Sequence, residues 1–393
     1  MSSDLLNRND EDRRLRALDA LNILDTPEEE RFDLIVRLAQ RLFSMPSVAI
    51  SFVGKDRQWL KSRVGTGYRE GPRAEAFCNY TIEQAGPTVV PDTLDDRRFS
   101  DRPSVTGPQG TRFYAGEPLE SPGGYRVGTL CMWDTKPRDL SEADLGLLND
   151  LARWVERELA ADAELHRAGS VQRALLPKRA PSVPGYDIAG LCAPAREVGG
   201  DFFDYYLIGD QLQITIADVM GKGVGAALVA ASVRAVLRGA SRFNEVGVAV
   251  NRSARALESD LAETATFVTM FTARLEPSTG DLTYVDAGHG LSAIVRRSGS
   301  VQQLASLAPP IGVLPDSAWQ EQGATLGPGD TFITLSDGWL DYFDSVPRAA
   351  AVAVRIVMES SSAQSIVDQI GGFSTCVTPD DDLTVIAVRR DFP

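Results

Sequence analysis

The chain has 393 residues, of which 43% are hydrophobic and 24% charged, and its net charge is −14. This length is sufficient for two or three domains of about 150 residues, and the composition is that of soluble globular proteins. The acidic balance argues against nucleic acid as the main partner, because such binding depends on basic surface. The sequence contains no long apolar run, no signal peptide at the start and no CxxC spacing of its four cysteines. The chain is therefore expected to be a cytoplasmic protein with reduced thiols and no membrane partner.

Leucine and isoleucine residues recur at helical spacing from Glu11 to Phe43. Thr26, Pro27 and Glu29 predict the start of a second helix there, because threonine can cap, proline fits the first turn and glutamate completes a capping box. After these helices, a loop is predicted at about 92–112, and four β-rich runs predict strands at 48–54, 58–65, 112–120 and 125–134. This order of elements indicates an α+β domain of the size of a sensor domain.

A long helix is predicted to follow from Ser141, which can cap its acidic first turn. Apolar residues then recur at intervals close to those of paired helices, at Leu148, Leu151, Val155 and Leu159. Up to Val155, packing against the helix's own domain explains this stripe equally well. Beyond Leu159 a dimer seam is the better interpretation, because an unsupported helix is marginal alone. A proline-bearing stretch from Pro177 ends the helix.

The second half of the chain alternates short β-rich runs with turn signals. Strands are predicted at 186–192, 202–209, 212–218, 266–276, 282–288, 291–297, 331–337 and 383–390. Two amphipathic helices are predicted at 225–239 and 245–262. Strands followed by a helical pair and more strands favour an α+β fold, a β-sandwich flanked by helices, over a doubly wound parallel sheet.

Four aspartates stand at or close to the ends of these predicted strands. Asp201 lies in EVGGDFFDY, Asp218 in IADVMGKG, Asp337 in TLSDGWLD and Asp381 in PDDDLTV. Carboxylates brought together repel one another, which raises a pKa unless a cation lies between them. Oxygen ligands of this kind suit Mg²⁺ or Mn²⁺. The pattern therefore predicts a hydrolase with two divalent metal ions.

Residues from about 12 to 160 resemble a GAF domain. The resemblance is carried by RLRALDALNILDTPEEERFDLIVRLA, FCNYTI, VVPDTLDDRRFSD, RFYAGEPL and GYRVGTLCMWDTKPRDLSEAD. It implies the fold but no particular ligand. Tetrapyrrole-binding GAF domains usually have a histidine beside their cysteine, whereas Asn79 and Tyr80 follow Cys78 here. Cys78 is therefore expected to be a buried thiol and not a cofactor attachment point.

The second half resembles the SpoIIE/RsbU-like serine/threonine phosphatases, the bacterial branch of the PPM metal-dependent phosphatases. Five blocks carry this resemblance in order, among them VQRALLPKRAPSVPGYDIAGLCAPAREVGGDFFDYY, IADVMGKGVGAALVAASVRAVLR and DDDLTV. It implies that two metal ions are held by Asp201, Asp218, the backbone carbonyl of Val219, Asp337 and Asp381. It places Asp382 where asparagine is frequent in the wider superfamily.

Metal-activated water would then be the nucleophile, which agrees with a chain that contains only two histidines. No arginine clamp for the phosphate is evident, since surface roles explain Arg196 and Lys222 at least as well. His289 could serve as an acid, although a buried structural histidine is the stronger interpretation.

Together these features predict a GAF sensor domain at 1–158, a helical coiled-coil linker at 159–180 and a PPM-type phosphatase domain at 181–393. The resemblance implies dephosphorylation of a serine or threonine on a STAS-type anti-sigma-factor antagonist. Residues 171–240 are predicted to couple sensor to catalysis, and the linker helix is predicted to form a homodimer. The GAF ligand stays unknown. The alternative is a catalytically silent scaffold with a phosphatase fold, which would bind its partner without divalent metal ions.

Overall fold

The computed structural model describes residues 2–304, 308–376 and 380–391, and it divides the chain into two compact units, 1–164 and 165–393. Helix residues 142–175 contribute to both units. The domain boundaries given above, at 158/159 and 180/181, stay predictions.

The first unit is built on one antiparallel sheet. Its helices are α1 (Ser2–Asp19), α2 (Glu30–Phe43), α3 (Phe77–Thr81), α4 (Pro103–Thr106) and the start of α5 (Glu142–Leu175). Its strands are β1 (Ser47–Val53), β2 (Arg57–Val64), β3 (Glu70–Pro72), β4 (Thr88–Val90), β5 (Phe113–Glu120) and β6 (Arg126–Asp134). The six strands are ordered β3-β2-β1-β6-β5-β4. The four predicted strands of this half are thereby confirmed.

The sheet of the first unit has an apolar core on each face. On one face α1, α2 and α5 cover the sheet, and on the other the core includes Phe77 and Cys78 of α3. The predicted stripe of α5 lies in the first of these cores, with all four residues at most 5% exposed: Leu148, Leu151, Val155 and Leu159. The stripe therefore packs within its own unit, beyond Val155 as far as Leu159.

The second unit is a sandwich of two five-stranded antiparallel sheets between pairs of helices. Its strands are β7 (Tyr186–Ala193), β8 (Phe202–Ile208), β9 (Gln211–Val219), β10 (Val268–Glu276), β11 (Asp281–Ala287), β12 (Ser292–Val295), β13 (Val301–Gln303), β14 (Gln322–Thr325), β15 (Thr331–Leu335) and β16 (Leu383–Arg390). Its helices are α6 (Val224–Ser241), α7 (Val246–Glu263), α8 (Val346–Glu359) and α9 (Ala363–Cys376). One sheet is ordered β14-β11-β10-β9-β8 and the other β13-β12-β15-β16-β7.

Three apolar layers hold this sandwich together. The central core lies between the sheets and contains Phe271 and Phe332, whose rings stack 5.5 Å apart. Helices α6 and α7 cover the outer face of the first sheet, and α8 and α9 cover that of the second. In the part of the chain that the structure describes, only α6 is long and apolar enough by length and composition to cross a membrane. Its residues Ala226, Ala230 and Val233 are buried against the sheet.

The predicted fold class, α+β with a β-sandwich flanked by helices, is confirmed, and two details are corrected. The predicted capping box of α2 is wrong, because the helix starts at Glu30 and the hydroxyl of Thr26 donates to the carbonyl of Ile23 instead. Glu29 pairs with Arg31 and so does not reach back to the chain before it. The second correction is that several elements were not predicted. They are α8, α9 and the short strands β13 and β14 in the second unit, and α3, β3, β4 and α4 in the first, where α4 lies within the loop predicted at about 92–112.

Candidate functional site

The four predicted aspartates come from both sheets of the sandwich. Asp201 immediately precedes β8 and Asp218 is the second-last residue of β9, two strands that pair within the first sheet. Asp337 follows β15 after one residue, and Asp381 precedes β16 by two, and these strands pair within the second sheet. The strand termini therefore bring all four carboxylates to the same end of the sandwich, where they interact electrostatically.

Asp382 fastens the loop that carries Asp201. This loop, at 194–201, joins β7 of one sheet to β8 of the other. The backbone N–H of Ala195 donates to one carboxylate oxygen of Asp382 at 2.8 Å, and that of Asp201 donates to the other at 3.3 Å. At Gly199 an added Cβ would lie 1.9 Å from the same carboxylate. Glycine is thus required there for the loop to approach Asp382 closely.

The carboxylate of Asp201 is buried with unsatisfied hydrogen-bonding capacity. The residue is 2% exposed, and its Oδ2 has no hydrogen-bond partner among the residues that the structure describes. Burial, followed by repulsion from Asp218, raises its pKa well above the usual range. A buried polar atom without a partner is costly and calls for an explanation such as an ion. A divalent cation at this oxygen would remove both penalties.

The neighbouring carboxylates are perturbed for the same reasons. Burial, and then repulsion from Asp337 and Asp381, raises the pKa of Asp218 to about 7. The pKa of Asp337 is also raised, by burial first and then by Asp381 and Asp341. The site thus concentrates negative charge where the carboxylates are partly buried from water, an arrangement that favours cation binding.

Lys222 faces this acidic group from the turn before α6. Its ammonium lies 3.1 Å from Asp381 and also donates to the carbonyl of Asp380. Among residues 2–304, 308–376 and 380–391, no three His, Cys, Asp or Glu side chains converge closely enough to hold a metal ion. The carboxylates are therefore near one another without forming a closed ligand shell. Arg196 is exposed.

His289 is buried, and its side chain contacts the second sheet. It is 9% exposed, and its Nε2 lies 3.1 Å from the hydroxyl of Thr334. Its backbone N–H donates to Asp286, whose carboxylate also accepts from the N–H of Gly290. Burial lowers the pKa of His289 to about 4, so the ring is neutral at physiological pH. These contacts agree with a structural histidine that fixes the turn after β11.

Reasoning from sequence missed two residues at this site. Asp382 appeared only as a position where related proteins vary, although it joins the 194–201 loop to β16. Lys222 was weighed only as a phosphate clamp against a surface role, and its pairing with Asp381 was not expected. The run of three acidic residues at 380–382 was the available signal, because adjacent carboxylates are stabilised by cationic or N–H partners nearby.

Comparison with known families identifies both halves of the chain. The GAF domain family matches residues 27–159, and the stage II sporulation protein E (SpoIIE) family matches residues 208–391. The chain thus combines a GAF domain with a SpoIIE-type domain of the PPM phosphatases, as the two resemblances predicted. The SpoIIE match begins after Asp201, so the position of that residue rests on the geometry described above.

Several curated relatives match parts of this chain. Phosphoserine phosphatase RsbU of Bacillus subtilis is 26% identical over 250 residues, which cover 61% of this chain and 72% of that protein. Protein IcfG of Synechocystis is 27% identical over 263 residues, 58% of this chain and 42% of that protein. The cyclic di-GMP phosphodiesterase PA2567 of Pseudomonas aeruginosa is 38% identical over 147 residues, 37% of this chain. The present chain spans only 25% of PA2567 and less than half of IcfG.

A solved structure shares the fold of the second unit. The SiaA-PP2C domain of Pseudomonas aeruginosa superposes with a TM-score of 0.51 at 24% identity, covering 58% of this chain and 96% of that domain. The PP2C sandwich is therefore the fold of the second half.

Proposed function

We propose that this protein is a metal-dependent protein serine/threonine phosphatase whose activity is controlled by its GAF domain. The observation that carries the proposal is the buried Oδ2 of Asp201, which has no partner and lies within a group of interacting carboxylates. A purely structural aspartate would be expected to have hydrogen-bond donors on both oxygens. The relationship to phosphoserine phosphatase RsbU supports the same reaction class.

In this proposal Asp201, Asp218, the carbonyl of Val219, Asp337 and Asp381 hold two Mg²⁺ or Mn²⁺ ions. When bound, the ions supply a water activated near neutral pH and positive charge for the phosphoryl oxygens in the transition state. The donor set consists of oxygen atoms alone, which is the preference of these two ions. An added Cβ at Gly200 would lie 2.5 Å from the Val219 carbonyl oxygen, so glycine keeps that side of the carbonyl clear.

The chain's own residues prepare the site in two ways. Asp382 holds the end of the 194–201 loop, because its carboxylate accepts a hydrogen bond from the backbone N–H of Asp201. Lys222 offsets part of the negative charge by pairing with Asp381. A phosphate group approaching this end of the sandwich would meet that ammonium beside the acidic group, and opposite charges attract.

The test of activity is phosphate release from phosphoserine and phosphothreonine proteins in the presence of Mn²⁺ or after EDTA treatment. We expect activity with Mn²⁺ that is lost in Asp201→Asn and Asp337→Asn. Asp330→Asn is the matched control. It changes a buried carboxylate that lies away from the site and accepts a hydrogen bond from Arg296 at 2.6 Å, and this variant should retain the reaction. Undiminished release by Asp201→Asn would refute the two-metal site.

A catalytically silent scaffold is the second candidate. It is favoured by the contact of Lys222 with Asp381 and by the open spacing of the described carboxylates. Calorimetric titration separates the two functions. A phosphatase should bind Mn²⁺ specifically and lose that binding in Asp201→Asn, whereas a scaffold should give the same heats for both proteins.

We further propose a phosphorylated STAS-type protein as substrate, in a pathway that switches partners of an anti-sigma factor. This substrate class is what the family resemblance implies, and the similarity to phosphoserine phosphatase RsbU supports it; a cytoplasmic location is proposed with it. The substrate can be identified by comparing the phosphoproteomes of wild-type cells and of an Asp337→Asn strain. A STAS protein should gain phosphoserine or phosphothreonine in the mutant, and no change in any STAS protein would contradict the assignment.

Control by the sensor is proposed to act through α5 on the 194–201 loop, within the predicted coupling region 171–240. The side chain of Gln172 on α5 donates to the carbonyl of Gly199 at 2.7 Å and accepts from its N–H at 3.1 Å. Gly199 is two residues from Asp201. A shift or rotation of this end of α5 would therefore pull directly on the backbone beside a proposed ligand.

Gln172→Glu tests this control contact. Glutamate can still accept from the N–H of Gly199 but cannot donate to its carbonyl, a change of about 1–3 kcal/mol. We expect Mn²⁺ affinity and kcat/KM of the full-length protein to fall about tenfold, since 1.4 kcal/mol corresponds to a factor of ten. Arg173→Gln on the same turn is the control, because the Arg173 guanidinium donates to the hydroxyl of Ser170 on α5 itself. Equal values for Gln172→Glu and wild type would contradict the coupling.

We propose that the protein forms a homodimer through the linker helix and that α5 moves within this dimer. Three apolar side chains of α5 in the second unit are exposed: Leu165, Val171 and Leu175. Exposed apolar residues on an amphipathic helix are frequent at helix–helix interfaces.

A further inference from the structure

Two cysteine thiols lie side by side in the wall of a cavity in the GAF unit. The sulfur of Cys78 on α3 and that of Cys131 on β6 are 3.6 Å apart, although 53 residues separate them in sequence. Both residues line a cavity of about 260 Å³ that is partly open to solvent and whose walls include Gln58, Tyr114 and Trp133. A small reactant in this cavity would therefore meet both sulfur atoms.

The two thiols differ in their hydrogen-bond partners. The sulfur of Cys78 accepts hydrogen bonds from the hydroxyl of Thr129 at 3.0 Å, the amide of Gln58 at 3.2 Å and the hydroxyl of Tyr114 at 3.5 Å. The thiol of Cys131 instead donates a hydrogen bond to the carbonyl of Ala49 at 3.5 Å. Several donors around one sulfur stabilise a thiolate, and an acceptor carbonyl keeps its neighbour protonated.

The acidities follow from these partners. Burial acts to raise the pKa of Cys78, but contacts with Cys131, Thr129 and Tyr114 outweigh it and lower this pKa to about 6. The pKa of Cys131 is raised, by the contact with Cys78 first and by burial second. The pair thus combines a thiol of lowered pKa, Cys78, with a thiol of raised pKa, Cys131, the arrangement in which one sulfur attacks and the other resolves.

We propose that Cys78 and Cys131 are a redox-active pair through which the GAF unit reacts with hydroperoxides. The Cys78 sulfur attacks the terminal oxygen of the O–O bond, which breaks to give a Cys78 sulfenic acid and a water or alcohol molecule. The Cys131 thiol then attacks the sulfenic sulfur, forming the disulfide and releasing water. In sum, two thiols lose two electrons and two protons to one hydroperoxide.

The geometry is suited to closing this bond. The sulfur atoms must approach from 3.6 Å to about 2.05 Å, a small movement for the short helix α3. The disulfide would tie α3 to the central strand β6 of the GAF sheet and alter the wall of the cavity. Cys192 offers an internal comparison, because it is a thiol with no sulfur neighbour among the described residues and donates to the carbonyl of Asp201 at 3.8 Å.

The experiment follows each cysteine separately in the full-length reduced protein. In EDTA-containing buffer the protein is treated with one to ten equivalents of hydrogen peroxide, quenched, alkylated differentially before and after reduction, and mapped by mass spectrometry. We expect a peptide pair linked through Cys78 and Cys131 that is reversed by dithiothreitol and forms at least tenfold faster than Cys192 is oxidised. Oxidation of Cys78, Cys131 and Cys192 at one rate, or survival of both GAF thiols, would overturn the proposal.

Two serine variants separate the attacking sulfur from the resolving one. In Cys131→Ser the sulfenic acid should persist on Cys78 and be labelled by dimedone, whereas in Cys78→Ser the Cys131 thiol should remain unlabelled. Thr129→Val keeps both thiols and removes one donor to Cys78, so its disulfide should form about tenfold more slowly while its unfolding temperature stays close to that of wild type. Labelling of Cys131 in Cys78→Ser, or an unchanged rate in Thr129→Val, would contradict the assigned roles.

Discussion

Replacing Asp218 by asparagine should stabilise the metal-free protein while removing its response to metal. The pKa of Asp218 is raised from 3.8 to about 7, by burial first and then by Asp337 and Asp381. A raised carboxylate pKa means that the charged form is disfavoured in the folded state. The stability that the protonated carboxyl of Asp218 contributes to the folded state is fully present below pH 4 and is lost as the pH rises from about 4 to about 7.

The magnitude follows from this difference of about three pH units. At 1.4 kcal/mol per unit, ionised Asp218 costs the metal-free fold about 4 kcal/mol at pH 8. Asparagine has nearly the same shape and no charge, but its amide is also buried in part, so we expect a net gain of about 2 kcal/mol. For a unit of this size that is a rise in melting temperature of about 4–8 °C.

Calorimetric unfolding of the full-length protein is the assay, in EDTA at pH 8 and pH 4 and with Mn²⁺ at pH 8. Asp218→Asn should melt above wild type in EDTA at pH 8, lose that advantage at pH 4, where Asp218 of the wild type is protonated, and show no rise with Mn²⁺. Asp330→Asn is the control, because it loses an ion pair with Arg296 and should melt lower while still responding to Mn²⁺. A lower melting temperature for Asp218→Asn in EDTA at pH 8 would refute the reasoning that these carboxylates repel one another.

Three further outcomes are expected. Lys222→Met should tighten Mn²⁺ binding several-fold in calorimetric titrations, because it removes a cation 3.1 Å from Asp381, and weaker binding would show that the ammonium supports the site. His289→Gln should lower the free energy of unfolding by about 1–3 kcal/mol through its contact with Thr334, yet leave the pH profile of activity unchanged, since a histidine acid would show its loss there. Val171→Glu should shift the full-length protein from dimer to monomer in light scattering, and an unchanged mass would exclude Val171 from a dimer seam.

Much of the fold was predictable because its signals are local. Alternating or continuous apolar runs marked the main strands, and Asp201, Asp218, Asp337 and Asp381 were recognisable at the ends of those runs. Helix α8 was missed although its signal is also local, because its buried residues Ala349, Ala353 and Ile356 recur at helical spacing. The short strands β13 and β14 lie at the edges of their sheets and are mostly exposed, so no apolar pattern marks them.

Features that depend on distant parts of the chain were not predictable. Cys78 was correctly expected to be buried, but its neighbour Cys131 is brought to it only by the packing of α3 on the GAF sheet. The tether from Asp382 to the 194–201 loop likewise joins residues 187 positions apart. Both are products of tertiary structure, because neither the spacing nor the identity of the residues specifies their partners.

The 194–201 loop explains how one small movement could govern the whole proposed metal site. It connects the two sheets of the sandwich, its end carries Asp201, and Asp382 holds it from the side of β16. Gln172 holds Gly199 in the same loop from the side of α5. Because ionised carboxylates at this end repel one another, their approach depends on these tethers and on bound cations. Control through α5 therefore needs no additional catalytic group, since displacing Gly199 changes the distance of Asp201 from the carboxylates of the opposite sheet.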